Sequence, residues 1–288
     1  SRSVAAGDLD GDGDVDLFFG NNGEVADSVW IGDGAGGFTN SGGLGTETDT
    51  HAVAMGDLDG DGDLDLVAGR NDANNRVYVN DGSGGFSEGD SFDDKDCRAL
   101  ALADHDGDGD LDLFVGNAAG DDDKLYANDG TGDFSAVWTG SALAATGAAF
   151  GDLDGDGALE LAVTRDGSAS AIYANPGRGL GQLWASSTNV KARDAAWGDV
   201  DGDGDLDLVV QNITHQPFIY QNLSVDSLSN HYLKVELKGP AGNLFGVGTK
   251  AVLYTPEGLQ YRENQVTRGY LSATAPGIHF GLGQNTAI

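Results

Sequence analysis

Along residues 1–222, short apolar runs return at a fixed interval, separated by runs of aspartate and glycine. Each unit opens on small and apolar residues: "SVAAGD", "HAVAMGD", "RALALAD", "GAAFGD" and "DAAWGD". An acidic loop follows, then a stretch such as "LDLVAGR" or "LDLFVGN", in which apolar residues alternate with aspartate. Period-two alternation bounded by glycine predicts a β-strand. A third strand reads "RVYVND", "KLYAND" or "AIYANP". A glycine-rich turn then closes on Phe86 or Phe134, with Phe38 in that place in the first unit, and a less regular fourth strand leads onward.

The acidic loops begin at Asp8, Asp57, Asp104, Asp152 and Asp199, a period of about 48 residues. A repeat of that length holding four strands matches one blade of a β-propeller. A stacked β-roll, the main competitor, uses much shorter repeats. Alanines recur in the first strand (Ala5 and Ala6, Ala52 and Ala54, Ala99 and Ala101, Ala148 and Ala149, Ala195 and Ala196). Small residues are expected there, because innermost propeller strands converge near the axis.

The loops share one pattern, D-x-D-x-D-G-x-x-[DE]. Positions 1, 3 and 5 are Asp8, Asp10 and Asp12; Asp57, Asp59 and Asp61; Asp104, Asp106 and Asp108; Asp152, Asp154 and Asp156; and Asp199, Asp201 and Asp203. Position 6 is always glycine. Position 7 is Asp14, Asp63, Asp110, Ala158 or Asp205, and position 9 is Asp16, Asp65, Asp112, Glu160 or Asp207. Hard oxygen donors at alternate positions of a tight loop suit calcium, which takes six to eight oxygens in flexible geometry. The alanine at position 7 of the fourth copy implies that this position ligates through its carbonyl, so one ion per loop and about five in all are expected. Position 12 is apolar in every copy (Phe19, Ala68, Val115, Val163, Val210), which excludes an EF-hand. Magnesium demands octahedral geometry and keeps its waters. Zinc favours His or Cys, and the loops offer only His105, at position 2, expected to face solvent.

These loops carry about half of the 47 acidic residues and much of the net charge of −32. Such a charge argues against nucleic acid and anionic membranes as partners. No apolar run is long enough for a transmembrane helix, so membrane insertion is not expected. Cys97 is the single cysteine, so no internal disulfide can form. Asn212 and Asn222 head glycosylation sequons.

The recurring order of loop, strand and hairpin, as in "YVNDGSGGF", resembles the FG-GAP/VCBS repeats of integrin α-like propellers over residues 1–222. The resemblance implies calcium held between strands of each blade. It departs at "FFGNN" and "FVGNA", where the Gly-Ala-Pro of the family name is missing, and at "NPGRGLGQL", which lacks the phenylalanine. Residues 223–288 change style, with strand candidates at 231–239, 248–258, 259–266 and 277–283 and a hairpin turn at Pro256–Gly258. "NHYLKVELKG", "NLFGVGTKAVLY", "GYLS" and "HFGLG" resemble the ASPIC/UnbV domain that follows such propellers in cartilage acidic protein and its bacterial relatives. The resulting expectation is an all-β chain: five four-stranded blades at 1–222, then a small ASPIC/UnbV-like β domain at 223–288. FG-GAP/VCBS propellers usually have seven blades. The chain is therefore expected to derive from a seven-blade parent with N-terminal blades lost or degenerate, and its C-terminal domain to be truncated; a five-blade ring, or a blade completed by 223–288, are the alternatives.

No G-x-S-x-G, H-E-x-x-H, C-x-x-C or phosphate-loop motif appears. His279 falls in a strand pattern and reads as structural, while His215 and His231 read as loop residues. The expected function is non-enzymatic: an extracellular, secreted or cell-surface scaffold, adhesion or matrix module stiffened by calcium. It would bind a protein or glycan, and self-assembly is conceivable. A polysaccharide-acting enzyme, or its carbohydrate-binding module, on the same propeller is the alternative.

Overall fold

A computed structural model describes the whole chain except residues 1, 24, 46–48, 72, 94, 176–179, 225–229, 257, 265–276 and 286–288. The described residues fold as twenty-three strands. The first blade is β1 (Ser3–Gly7), β2 (Asp16–Gly20), β3 (Asp27–Gly32) and β4 (Phe38–Leu44). The second is β5 (Thr50–Gly56), β6 (Asp65–Arg70), β7 (Asn75–Asn80) and β8 (Phe86–Phe92). The third is β9 (Cys97–Ala103), β10 (Asp112–Asn117), β11 (Lys124–Asn128) and β12 (Phe134–Thr139). The fourth is β13 (Ala145–Gly151), β14 (Glu160–Ser168), β15 (Ala171–Ala174) and β16 (Gly181–Ala185). The fifth is β17 (Val190–Gly198), β18 (Asp207–Asn212) and β19 (Phe218–Tyr220). Within each blade, strands pair antiparallel in chain order. The long β14 also pairs at its end with β17, so the fourth and fifth sheets join.

The hydrophobic core lies between blades rather than within them. Leu66 and Val67, adjacent in β6, point to opposite faces, and both are fully buried. Leu66 packs with Phe18 and Val29 of the first blade, Val67 with Leu100 and Leu113 of the third. Burial on both faces is why the second strands read as nearly unbroken apolar runs. The first strands neighbour one another in sequence from β1 to β17; Ala5, Ala52, Ala99, Ala148, Ala149 and Ala195 are buried, while Ala6, Ala54, Ala101 and Ala196 are only partly so. Among the described residues β17 has no comparable packing on β1, so the five blades form an open arc rather than a five-blade ring.

Among the described residues of 223–288, no strand pairs with a blade. Their described strands, β20 (His231–Val235), β21 (Lys250–Thr255), β22 (Gly258–Glu263) and β23 (Ile278–Gly283), pair only among themselves, β20 with β23 and β21 with β22. Ile278, Phe280 and Leu253 form their small separate core. His231 opens β20 instead of lying in a loop. The "GYLS" segment lies outside the described residues. This domain rests across the loop end of the arc: Lys250 pairs with Asp57 of the second blade, Arg262 bonds Gly157 of the fourth, and His279 bonds Gly204 of the fifth.

Candidate metal sites

Each acidic loop joins the first strand of a blade to its second, so five loops lie at one end of the arc. Their backbone course is set by aspartates capping main-chain amides. The position 1 carboxylate accepts from the position 4 amide, as in Gly11 to Asp8 and Gly60 to Asp57, both at 2.9 Å. Position 3 accepts from position 5, and position 5 from position 7, as in Asp14 to Asp12 at 2.8 Å and Ala158 to Asp156 at 2.8 Å. Position 6 lies at φ between 90° and 107° in all five copies, a region where a Cβ is strained, hence the invariant glycine.

The turn brings carboxylates together. Oxygens of Asp8, Asp10 and Asp16 lie within 4.8 Å of one another, as do those of Asp152, Asp154 and Glu160. The same holds for positions 1, 3 and 5 of the other loops: Asp57, Asp59 and Asp61; Asp104, Asp106 and Asp108; Asp199, Asp201 and Asp203. Position 7 joins none of these groups. The side chains of Asp14, Asp63 and Asp110 turn outward against Gly34, Gly82 and Gly130 of their own hairpins. Asp205 meets the Ser224 hydroxyl instead, at 3.3 Å.

Position 9 does more than the sequence reading assigned to it. One oxygen of Asp65 accepts the Leu58 amide at 2.9 Å and the other the Asn80 amide at 2.8 Å. Asp16, Asp112 and Asp207 repeat the arrangement, and Glu160 accepts from Leu153. This carboxylate therefore ties loop, second strand and third strand together. A carboxylate oxygen has two lone pairs, so these bonds leave capacity for a cation.

An oxygen-only donor set fits a hard divalent ion. Two buried position 1 oxygens, Asp104 Oδ2 and Asp152 Oδ1, have no hydrogen-bond donor. A buried acceptor left without a donor is costly, and a cation at the centre of each loop would satisfy both. Positions 1, 3, 5 and 9 would hold it. Burial, aided by neighbouring carboxylates, pushes Asp65, Asp104 and Asp152 up to about 6, Asp112 to about 7 and Glu160 to about 8. These values lie above those of unfolded carboxylates, near 4. Metal-free folding therefore binds protons: the associated stability is complete below about pH 4 and is lost progressively as pH rises from there through the raised values of about 6 to 8. A bound ion favours the ionised carboxylates and reverses the trend. Thermal melts should show metal-stripped protein more stable at pH 5 than at pH 8, and protein in excess calcium more stable at pH 8.

The sequence reading missed a set of asparagines that link adjacent blades. Asn128, ending β11, donates to the Leu58 carbonyl at 2.8 Å and the Leu111 carbonyl at 3.2 Å. Leu58 is position 2 of the preceding blade's loop, and its amide already binds Asp65. Asn80, Asn175 and Asn222 reach the equivalent carbonyls of Leu9, His105 and Leu153. The recurring asparagine in "YVND", "YAND", "YANP" and "YQN" was the available signal. Asn222, in a sequon, has its side-chain nitrogen engaged in this link. Asn128→Ala would strand two buried carbonyls, and should lower stability by about 1–3 kcal/mol in denaturant melts.

His105 is buried, contrary to expectation. It packs beside Phe150, its ring centroid 6.1 Å from the phenyl, and burial pulls it down to about 4. Position 2 is Leu9, Leu58, Leu153 or Val200 elsewhere, so His105 fills an apolar slot. His279 lies in β23, where the strand pattern placed it; it stacks on Tyr232 and its Nε2 lies 3.1 Å from the Gly204 carbonyl.

Antiparallel blades arrayed around a common inner edge, each with an acidic loop between its first two strands, define a β-propeller whose loops could hold metal ions. The chain belongs to the FG-GAP-like repeat family, which matches it at residues 8–68, 57–115, 104–163 and 152–210, and its C-terminal part matches the ASPIC and UnbV family at residues 239–288. No curated protein matches the chain. Among solved structures, Sqt1 from Saccharomyces cerevisiae aligns over 90% of this chain and 83% of its own, with TM-score 0.51 and 11% identity. BBS1N, solved in complex with ARL6DN, covers 96% of this chain and 94% of its own, with TM-score 0.49 and 13% identity. Raptor from Chaetomium thermophilum covers 77% of this chain and 21% of its own, with TM-score 0.48 and 11% identity. At such identities the first likeness speaks for the fold alone.

Proposed function

We propose that the protein is an extracellular propeller module in which calcium stiffens every blade, and which acts by binding a protein or glycan rather than by catalysis. The convergence of carboxylates in five successive loops carries this reading. One such cluster could be ordinary surface acidity; five at the same place in the blade form a repeated donor set. Oxygen-only donors in a flexible loop favour calcium over zinc and magnesium. Extracellular calcium, in the millimolar range, would fill even loops with dissociation constants of roughly 10⁻⁴–10⁻³ M. Membership of the FG-GAP-like family and the net charge of −32 agree with a secreted or cell-surface setting.

Calorimetric titration of stripped protein should show about five calcium equivalents bound, with magnesium at equal concentration displacing few of them. Absence of calcium uptake would sink the proposal. For the module itself, adhesion to an immobilised matrix protein or glycan should depend on calcium and proceed without substrate turnover. Polysaccharide cleavage abolished by a substitution outside the loops would instead establish an enzyme.

A further inference from the structure

The C-terminal domain brings cations to the acidic face of the arc. Lys250, first residue of β21, forms an ion pair with Asp57 Oδ2 at position 1 of the second loop. In the first and fourth loops the corresponding oxygen accepts the position 6 amide, Gly13 to Asp8 and Gly157 to Asp152, each at 2.9 Å. In the second loop Lys250 takes that oxygen. Lys250 also stands directly across the hairpin from Glu263, whose charge it offsets and whose carboxylate lies 3.4 Å from the Asp57 amide. The ammonium is thus ion-paired with Asp57 on the loop, while Glu263 on its own hairpin stands within electrostatic reach. The first loop is approached differently: Gly242 lies against Asp14, and among the described residues no cation pairs with that loop's carboxylates.

We propose that Lys250 and a metal ion compete for the second loop, so that docking of the C-terminal domain and metal occupancy of that loop are reciprocally coupled. The proposal rests on the calcium reading above. A divalent ion at Asp57, Asp59 and Asp61 draws on the carboxylate that holds Lys250 and repels the ammonium. Lys250 then moves its charge fully onto Glu263, which makes the exchange inexpensive. Linkage requires the effect to run both ways: a docked domain weakens metal binding at the second loop, and metal there loosens the domain. The first loop, over which the described residues place no cation, lies outside the competition.

Calcium titration of stripped protein, followed through the backbone amides of Gly62 in the second loop and Gly13 in the first, tests this. Removing one unit charge a few ångströms from a divalent ion, Lys250→Gln should tighten the second loop by roughly tenfold, with the first loop unchanged. Glu263→Gln removes the alternative partner, holds Lys250 on Asp57, and should weaken the second loop. In the unmodified protein, amide hydrogen exchange along β21 should quicken when calcium fills the second loop. Equal second-loop affinity in all three proteins, with normal binding at the first loop, would overturn the competition alone. No calcium response at either glycine would overturn the calcium reading and this proposal together. The first loop also reports folding, so a misfolded variant is recognised by loss of the Gly13 response.

Discussion

Stripping calcium should lower the thermal midpoint by more than about 10 °C. At millimolar calcium and dissociation constants near 10⁻⁴ M, each loop adds roughly 1–2 kcal/mol to the folded state. Five loops then contribute on the order of 5–10 kcal/mol, comparable with the whole stability of an ordinary domain. The effect spreads beyond the loops, because the position 2 peptide of one blade is hydrogen-bonded to the asparagine of the next. Differential scanning calorimetry with and without chelator measures the shift, and an unchanged midpoint would refute the calcium account. Single loops can be addressed in the same way. Asp61→Ala removes a carboxylate from the group at the second loop together with the bond it accepts from the Asp63 amide. Asp63→Ala removes a side chain that points to Gly82, and leaves its carbonyl in place. The first should remove most of the calcium-dependent stabilisation of its blade, and the second little of it.

The repeat, the strands and the metal-type loops were legible because each rests on side chains that recur. Aspartate at alternate positions, glycine at position 6 and alanine on the innermost strand all have local physical causes, so five copies display them in register. What escaped depended on main-chain partners or on distance. The double bond of Asp65 to the Leu58 and Asn80 amides leaves no trace beyond an acidic residue, since every residue but proline offers an amide. Asn128 repeats in sequence, yet its purpose appears only when the Leu58 carbonyl, seventy positions earlier, is brought beside it. His105 was misread because its own polarity was weighed above the apolar residues at the same position in the other four loops. The placing of the C-terminal domain over the loops rests on contacts such as Arg262 to Gly157, 105 positions apart, between segments with no shared pattern.

At the opposite end of the blades from the loops, Asp123→Ala should cost about 3–5 kcal/mol. Asp123 of the third blade and Arg165 of the fourth form an ion pair at 2.6 Å, with side chains 0% and 1% exposed. Asp123 also accepts the Asn117 amide at 3.0 Å, and Arg165 donates to the Leu143 carbonyl at 2.7 Å. Truncating the aspartate leaves a guanidinium buried between blades without its carboxylate partner. The pair itself is a different matter. Burial raises the Asp123 carboxyl while Arg165 pulls it down, so desolvation and attraction oppose each other at this pair, and a buried pair of this kind is weak evidence for net stabilisation. Replacing both residues by apolar ones of similar volume, Asp123→Leu with Arg165→Met, should therefore restore most of the loss, and could exceed the original stability. Denaturant midpoints of the single and double variants decide the point. A double variant as unstable as Asp123→Ala would mean that the ion pair stabilises the interface outright. Recovery would mean that the pair mainly fixes how the third and fourth blades meet, while the apolar layer of Phe114, Leu125, Ala148 and Leu161 holds them together.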